Sequence, residues 1–146
     1  MIIRPGGLIV HAGRLLLMRY VYGGEERLNL PGGKPDPGED LRQCLRRELR
    51  EELNLVMEVG ELVFLVESEG GGREVLHPIF AVVGPWQSEP CLNPLHTSAD
   101  SIRWLEASAL RQATLYPHIP EEVACWLSGE RGRAPYLGRI SQPWVS

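Results

Sequence analysis

Cysteine is scarce in this chain, and the three present, Cys44, Cys91 and Cys125, share no C-x-x-C spacing. An odd count without that spacing argues against a disulfide framework. The four histidines include no H-E-x-x-H and no paired spacing, so they read as packing or surface residues rather than zinc ligands. No apolar run approaches the roughly 18 residues of a membrane span. The opening Met-Ile-Ile-Arg-Pro-Gly-Gly is too interrupted for a signal peptide, so a cytoplasmic location is expected by default. Surplus positive charge is missing as well: the net charge is −4, which argues against general attraction to a nucleic-acid polymer. No internal repeat or low-complexity segment is evident. What remains is 146 residues, 43% of them apolar, enough for one ordinary domain with its own core.

The chemistry concentrates in Gly33 to Leu55, GKPDPGEDLRQCLRRELREELNL. Glu48, Glu51 and Glu52 stand at i, i+3 and i+4, neighbours on one face of a helix. Three like charges so placed repel, and a divalent cation removes that cost. At roughly 100° per residue, Leu41, Leu45 and Leu49 form an apolar stripe, and Glu48 and Glu52 fall within about 20° of Leu41, inside it. Carboxylates aimed where the core should be need a cation or a neighbouring arginine. The alternative is an ordinary solvated, salt-bridged helix face, which that placement argues against. Carboxylate oxygens suit hard Mg2+ or Mn2+.

The surrounding chain frames this helix. Pro31-Gly32-Gly33 and Pro35-Asp36-Pro37-Gly38 predict a stiff loop in which glycine lets backbone approach a ligand closely. Asp40, with Gln43 three residues on, resembles a capping box, starting a helix over about Asp40–Leu53. Leu8–His11 and Arg14–Tyr20 read as a hairpin turning at Ala12-Gly13, and Leu28–Leu30 as a short strand. Leu55–Glu67 and Glu74–Val83 read as strands joined at Gly70-Gly71-Gly72. Gly84–His96, with three prolines, reads as a loop. After a strand near Trp104, Ala107–Ala113 and Pro120–Leu127 read as short helices. The unit is expected to span residues 1–128. The tail 129–146 shows little helical periodicity and is expected to pack on the same domain through Tyr136, Leu137, Ile140 and Trp144.

The spacing of Gly33, Glu39, Arg47, Glu48, Leu49, Glu51 and Glu52 resembles the Nudix box, Gly-x5-Glu-x7-Arg-Glu-U-x-Glu-Glu-x-Gly-U with U apolar. The one departure is Asn54 at the final glycine; Leu55 fills the last apolar position. Asparagine tolerates the left-handed conformation expected past a helix end, so the change reads as structural. The resemblance implies an α/β/α sandwich with a mixed β-sheet. It also implies a pyrophosphohydrolase acting on a nucleoside diphosphate linked to a moiety X, with Mg2+ as cofactor and Mn2+ as substitute. By the same resemblance, Gly33 (through its carbonyl), Glu48, Glu51 and Glu52 look like metal ligands. Glu51, Glu52, Arg47 and Glu39 look like the catalytic set, with Arg47 orienting a box carboxylate and Glu39 supporting the head of the helix. A general base from a later loop is also known in the family. Asp100 is the nearest candidate, with Glu89 and Glu69 as others.

Sequence says less about the substrate. The family's markers for ADP-ribose, dinucleoside polyphosphates and coenzyme A are missing or partial. Ser141-Gln142-Pro143-Trp144 matches the start of an NADH-hydrolase array but lies too far downstream. (Deoxy)nucleoside triphosphates therefore rank first, followed by ADP-ribose and nucleotide sugars. Arg19 and Arg27 are candidates to hold phosphates, and Tyr20, Tyr22, Phe64, Phe80 or Trp86 to stack on a base. The partner expected is a small nucleotide, with no membrane and no nucleic-acid polymer; a homodimer is compatible, since many family members are dimers. The competing reading is a fold of this family kept as a nucleotide-sensing or protein-binding module without turnover.

Overall fold

The computed structural model describes residues 1–143, so Trp144 lies outside the described residues. These residues form two five-stranded sheets and three helices. In the first sheet the order is β1 (Ile2–Ile3), β7 (Arg73–Val83), β6 (Glu58–Gly70) and β10 (Tyr136–Ser141), with β2 (Gly6–Leu8) also on β7. In the second the order is β3 (Val10–His11), β4 (Arg14–Tyr22), β5 (Glu25–Asn29) and β9 (Leu115–Tyr116), with β8 (Ser101–Leu105) on the other edge of β4. Parallel pairs (β1·β7, β2·β7, β6·β10, β5·β9) and antiparallel pairs coexist. The sheet is mixed, as expected.

Strand β4 shows why the architecture has two helical layers. Leu15, Leu16, Leu17 and Met18 are all fully buried, an unbroken apolar run of the kind found where both faces of a strand are covered. Leu15 and Leu17 join one cluster with Leu110 of α2 (Ala107–Leu110), Val123 of α3 (Pro120–Leu127) and Ile119, which caps the start of α3. Leu16 and Met18 join the other, with Leu45, Leu49 and Leu53 from α1 (Leu41–Leu53). Period-two alternation thus sends neighbouring residues into opposite cores.

Helix α1 begins at the predicted cap. The Asp40 carboxylate accepts from the Gln43 N–H at 2.8 Å, and the Gln43 side-chain oxygen accepts from the Asp40 N–H at 2.9 Å. It ends at Asn54, whose φ of 56° and ψ of 35° are left-handed. The first hairpin turns at Ala12-Gly13, both at positive φ.

Several elements differ from the sequence reading: the short strands β1 and β9 were not expected, and β6 runs from Glu58 to Gly70 rather than from Leu55 to Glu67. Strand β5 starts at Glu25, earlier than expected, because Tyr20, Val21 and Tyr22 continue β4 and pair with it. The helix expected over Ala107–Ala113 stops at Leu110. The tail holds a strand, β10, running parallel to β6. Its alternation is short and broken by Gly138, at φ 78°. Among the described residues, no helix is long and apolar enough to cross a membrane.

Candidate active site

The box loop enters against the edge of the first sheet formed by residues 5–7. The Gly33 N–H donates to the Pro5 carbonyl at 3.3 Å, and Gly7 N–H to the Pro31 carbonyl at 2.9 Å. Two glycines are needed for this approach. A Cβ on Gly32 would stand 2.0 Å from the Pro5 oxygen, and one on Gly33 would stand 2.4 Å from Cδ of Glu48. The Gly33 backbone therefore lies directly on the Glu48 carboxylate. Its carbonyl accepts from the Cys44 thiol at 3.5 Å, and burial pushes that thiol up to about 12.

Arg47 gathers the box acids. Its Nε and Nη2 donate to the two oxygens of Glu39 at 2.7 and 3.0 Å, a bidentate pair. Nη1 donates to Glu48 at 2.9 Å and to Glu51 at 3.2 Å, and Nη2 also donates to the Lys34 carbonyl at 3.0 Å. The bonds to Glu39 and Glu48 keep the guanidinium charged at all accessible pH. The same contact holds the Glu39 carboxyl below the usual range, helped by the Asp36 N–H.

Glu52 differs from its neighbours. It is 7% exposed, and its Oε1 is buried without a hydrogen-bond partner. Burial first, then the adjacent Glu48 charge, pushes its carboxyl well above the carboxylate range, with Arg4 opposing. Glu48 and Glu51 are turned onto Arg47, and among the described residues no three His, Cys, Asp or Glu side chains are grouped, as they stand, to hold a metal ion. What the fold brings together is a row of three carboxylates along one helix face, backed by the Gly33 peptide, with one member buried and lacking a donor.

Other candidates separate from this row. Asp100 accepts from Arg19 at 2.6 Å and from Ser101 at 2.9 Å, and both contacts lower its carboxyl. Arg19 is held between Asp100 and Glu26. Glu69 pairs with Arg139 on β10. Arg27 lies over the Tyr22 ring, 4.8 Å from its centroid.

Two residues were missed by sequence reasoning. Arg4 donates to the Leu30 and Gly32 carbonyls at 3.3 and 3.4 Å and lies 5.3 Å from the centre of the Tyr116 ring. No motif marks it. His96 places Nδ1 3.8 Å from Oε2 of Glu51; as a single histidine in a proline-rich loop it carried no spacing signal. Between the β6–β7 turn and the ends of β4, β5 and β9, a cleft of about 420 Å³ is lined by Tyr22, Asn29, Ser68, Arg73 and Tyr116 among others.

Residues 5–127 match the sequence profile of the NUDIX domain. Over 80 residues the chain is 34% identical to an 8-oxo-dGTP diphosphatase of Haemophilus influenzae, covering 53% of this chain and 58% of that relative. The matched stretch thus spans under two thirds of that protein's length. The fold is similar to the solution structure of the E. coli ORF135 protein, with a TM-score of 0.72 and 25% identity over 88% of this chain and 89% of the other. It is equally similar to the MutT protein of Methanosarcina mazei Go1, with a TM-score of 0.72 and 24% identity over 88% and 96%. With the profile covering most of its length and the box acids gathered on one helix face, the chain belongs to the NUDIX family.

Proposed function

We propose that the chain is a divalent-cation-dependent pyrophosphohydrolase that cleaves a nucleoside diphosphate linked to a second moiety, with (deoxy)nucleoside triphosphates as its preferred class. The observation that carries the reading is Glu52: a carboxylate nine-tenths buried, with an unpartnered oxygen, in a row with Glu48 and Glu51. A carboxylate in that position is costly unless paired. A hard cation fits the donor set, which is oxygen only: Glu48, Glu51, Glu52 and the Gly33 carbonyl. Mg2+ is the ion of choice, with Mn2+ as substitute.

When bound, such an ion neutralises phosphoryl oxygens and lowers the pKa of a coordinated water. The protein's own residues supply the rest. Arg47 fixes Glu48 and Glu51 through one nitrogen while its other two are locked on Glu39, so the carboxylates are positioned before substrate arrives. Glu39 acts through Arg47 as a positioning residue. Glu52, in its buried setting, is the acid whose charge depends most on an incoming cation.

The cleft at the β6–β7 turn suits a nucleoside. The Tyr22 and Tyr116 rings offer stacking surfaces, and Asn29 and Ser68 offer donors and acceptors to a base edge. The (deoxy)nucleoside triphosphate preference is supported by the 34% identity to a protein named 8-oxo-dGTP diphosphatase. The expected partner is therefore a small nucleotide.

The deciding experiment is phosphate release over nucleoside triphosphates, 8-oxo-dGTP, ADP-ribose and nucleotide sugars, with Mg2+ or Mn2+, beside Glu52→Gln. A preferred triphosphate whose turnover is lost in the variant supports the proposal. Metal-dependent hydrolysis persisting in Glu52→Gln would sink the site assignment. Binding without turnover of any compound would replace the enzyme by a sensing module.

A further inference from the structure

His96 stands outside the oxygen-only donor set, yet no structural need explains where it sits. Its ring faces Oε2 of Glu51 at 3.8 Å, and its side chain is 45% exposed, so burial does not hold it there. The loop does. Residues 93–97 form a compact turn: the His96 and Thr97 N–H groups donate to the Asn93 carbonyl at 2.9 and 3.0 Å, and the Leu95 N–H to the Asn93 side chain at 3.1 Å.

That turn is hung on the end of α1. Cys91 N–H donates to the Leu53 carbonyl at 2.9 Å, Asn93 N–H to the Glu52 carbonyl at 3.0 Å, and the Asn54 side chain to the Cys91 carbonyl at 2.7 Å. Two carbonyls left over at a helix C-terminus are thereby satisfied. The far side is tied by the Tyr20 hydroxyl to Thr97 Oγ1 at 3.0 Å. The backbone that carries His96 is thus fixed relative to the helix that holds the glutamates, which places the imidazole within reach of Glu51.

We propose that His96 is a nitrogen donor to the cation held beside Glu51, and that it sets the cation preference of this chain towards imidazole-binding ions such as Co2+ relative to Mg2+. The inference rests on the metal-dependent reading above. Two donors each about 2.1 Å from one ion, at an angle between a right angle and the tetrahedral one, stand about 3.0 to 3.5 Å apart. The observed 3.8 Å separation closes by a small rotation of either side chain. A carboxylate oxygen has more than one lone pair, so Glu51 keeps its bond from Arg47 while turning its other side to the ion. Mg2+ selects oxygen and water, whereas imidazole favours the later divalent metals. One nitrogen therefore raises Co2+ affinity and leaves Mg2+ affinity nearly unchanged.

The test is direct metal binding by calorimetry, with Mg2+ and with Co2+, together with the visible absorption of bound Co2+. It compares the wild type, His96→Ala, and His11→Ala as a control that removes an exposed histidine on β3. The expected result is a Co2+ affinity lower by about tenfold and an altered Co2+ spectrum in His96→Ala alone, with Mg2+ affinity unchanged. An unchanged ratio of Co2+ to Mg2+ affinity, or an equal fall in both, overturns the inference while leaving the glutamate site standing. Failure of the wild type to bind either ion overturns both, and is recognised by its independence of His96.

Discussion

Gly33 and Arg47 carry the site in different ways, and each gives a testable consequence. A methyl on Gly33 meets the far end of a flexible side chain, since the contact is to the Glu48 carboxylate. Gly33→Ala therefore leaves stability within about 1 kcal/mol but swings Glu48 off the row. Hydrolysis should fall on the order of 10- to 100-fold, the usual cost of disturbing a group that orients metal ligands. Thermal unfolding beside kcat/KM separates the two effects. A large loss of stability with activity retained would refute the account. Arg47→Lys keeps a charge but loses the fork that spans Glu39, Glu48 and Glu51 at once. Its kcat/KM is expected to drop on the order of 10- to 100-fold as well, with kcat carrying most of the loss.

The helix that holds these residues was legible almost to its last residue, because its signals are local: an Asp-to-Gln capping box, a leucine stripe and an asparagine able to turn left-handed. The strands that support it were less so. Strand β10 forms because the β6 edge is there to receive it, and β5 extends because β4 runs past the expected end. Such pairing is decided by distant chain, which local pattern does not contain. His96 and Arg4 escaped for the same reason, since only folding brings them to the box. Two changes at the ends of α1 test its account. Asp40→Ala removes the carboxylate that accepts from the Gln43 N–H, leaving the reciprocal bond from its own backbone N–H, and is expected to cost about 1 kcal/mol. Asn54→Gly restores the glycine of the family pattern and relieves the left-handed backbone, but it deletes the 2.7 Å bond to Cys91. The two effects oppose, so stability should change by less than about 1 kcal/mol. Urea titrations measure both; a cost from Asn54→Gly well above that of Asp40→Ala would mean that the loop anchor outweighs the helix end.

At the scale of the whole molecule, the two sheets meet at His77. It is 1% exposed on β7, its Nε2 is 2.8 Å from Ser68 Oγ on β6, and its ring meets that of Tyr116 edge-on at 5.1 Å. Its Nδ1 is buried without a partner. Burial first, then the positive charge of Arg4, lowers its pKa to about 3 from an ordinary 6.5. The folded state therefore binds its proton less readily than the unfolded chain. Between about pH 6.5 and pH 3 the unfolded state holds more protons, so stability rises with pH across that window. The contribution of neutral His77 is fully present above pH 6.5 and is lost progressively as the pH falls towards 3. At 1.36 kcal/mol per pH unit, moving from pH 7.5 to pH 5 costs up to about 2 kcal/mol at this residue. Carboxylates, the raised Glu52 included, are shared with the variant, so the comparison of wild type with His77→Gln isolates the imidazole. The variant is expected to be the less stable of the two at pH 7.5, through lost packing, yet to lose less on acidification between pH 7.5 and 5. Equal losses for the two proteins over that interval would show that His77 takes up its proton without unfolding, and that the junction of the sheets opens to water more readily than its packing implies.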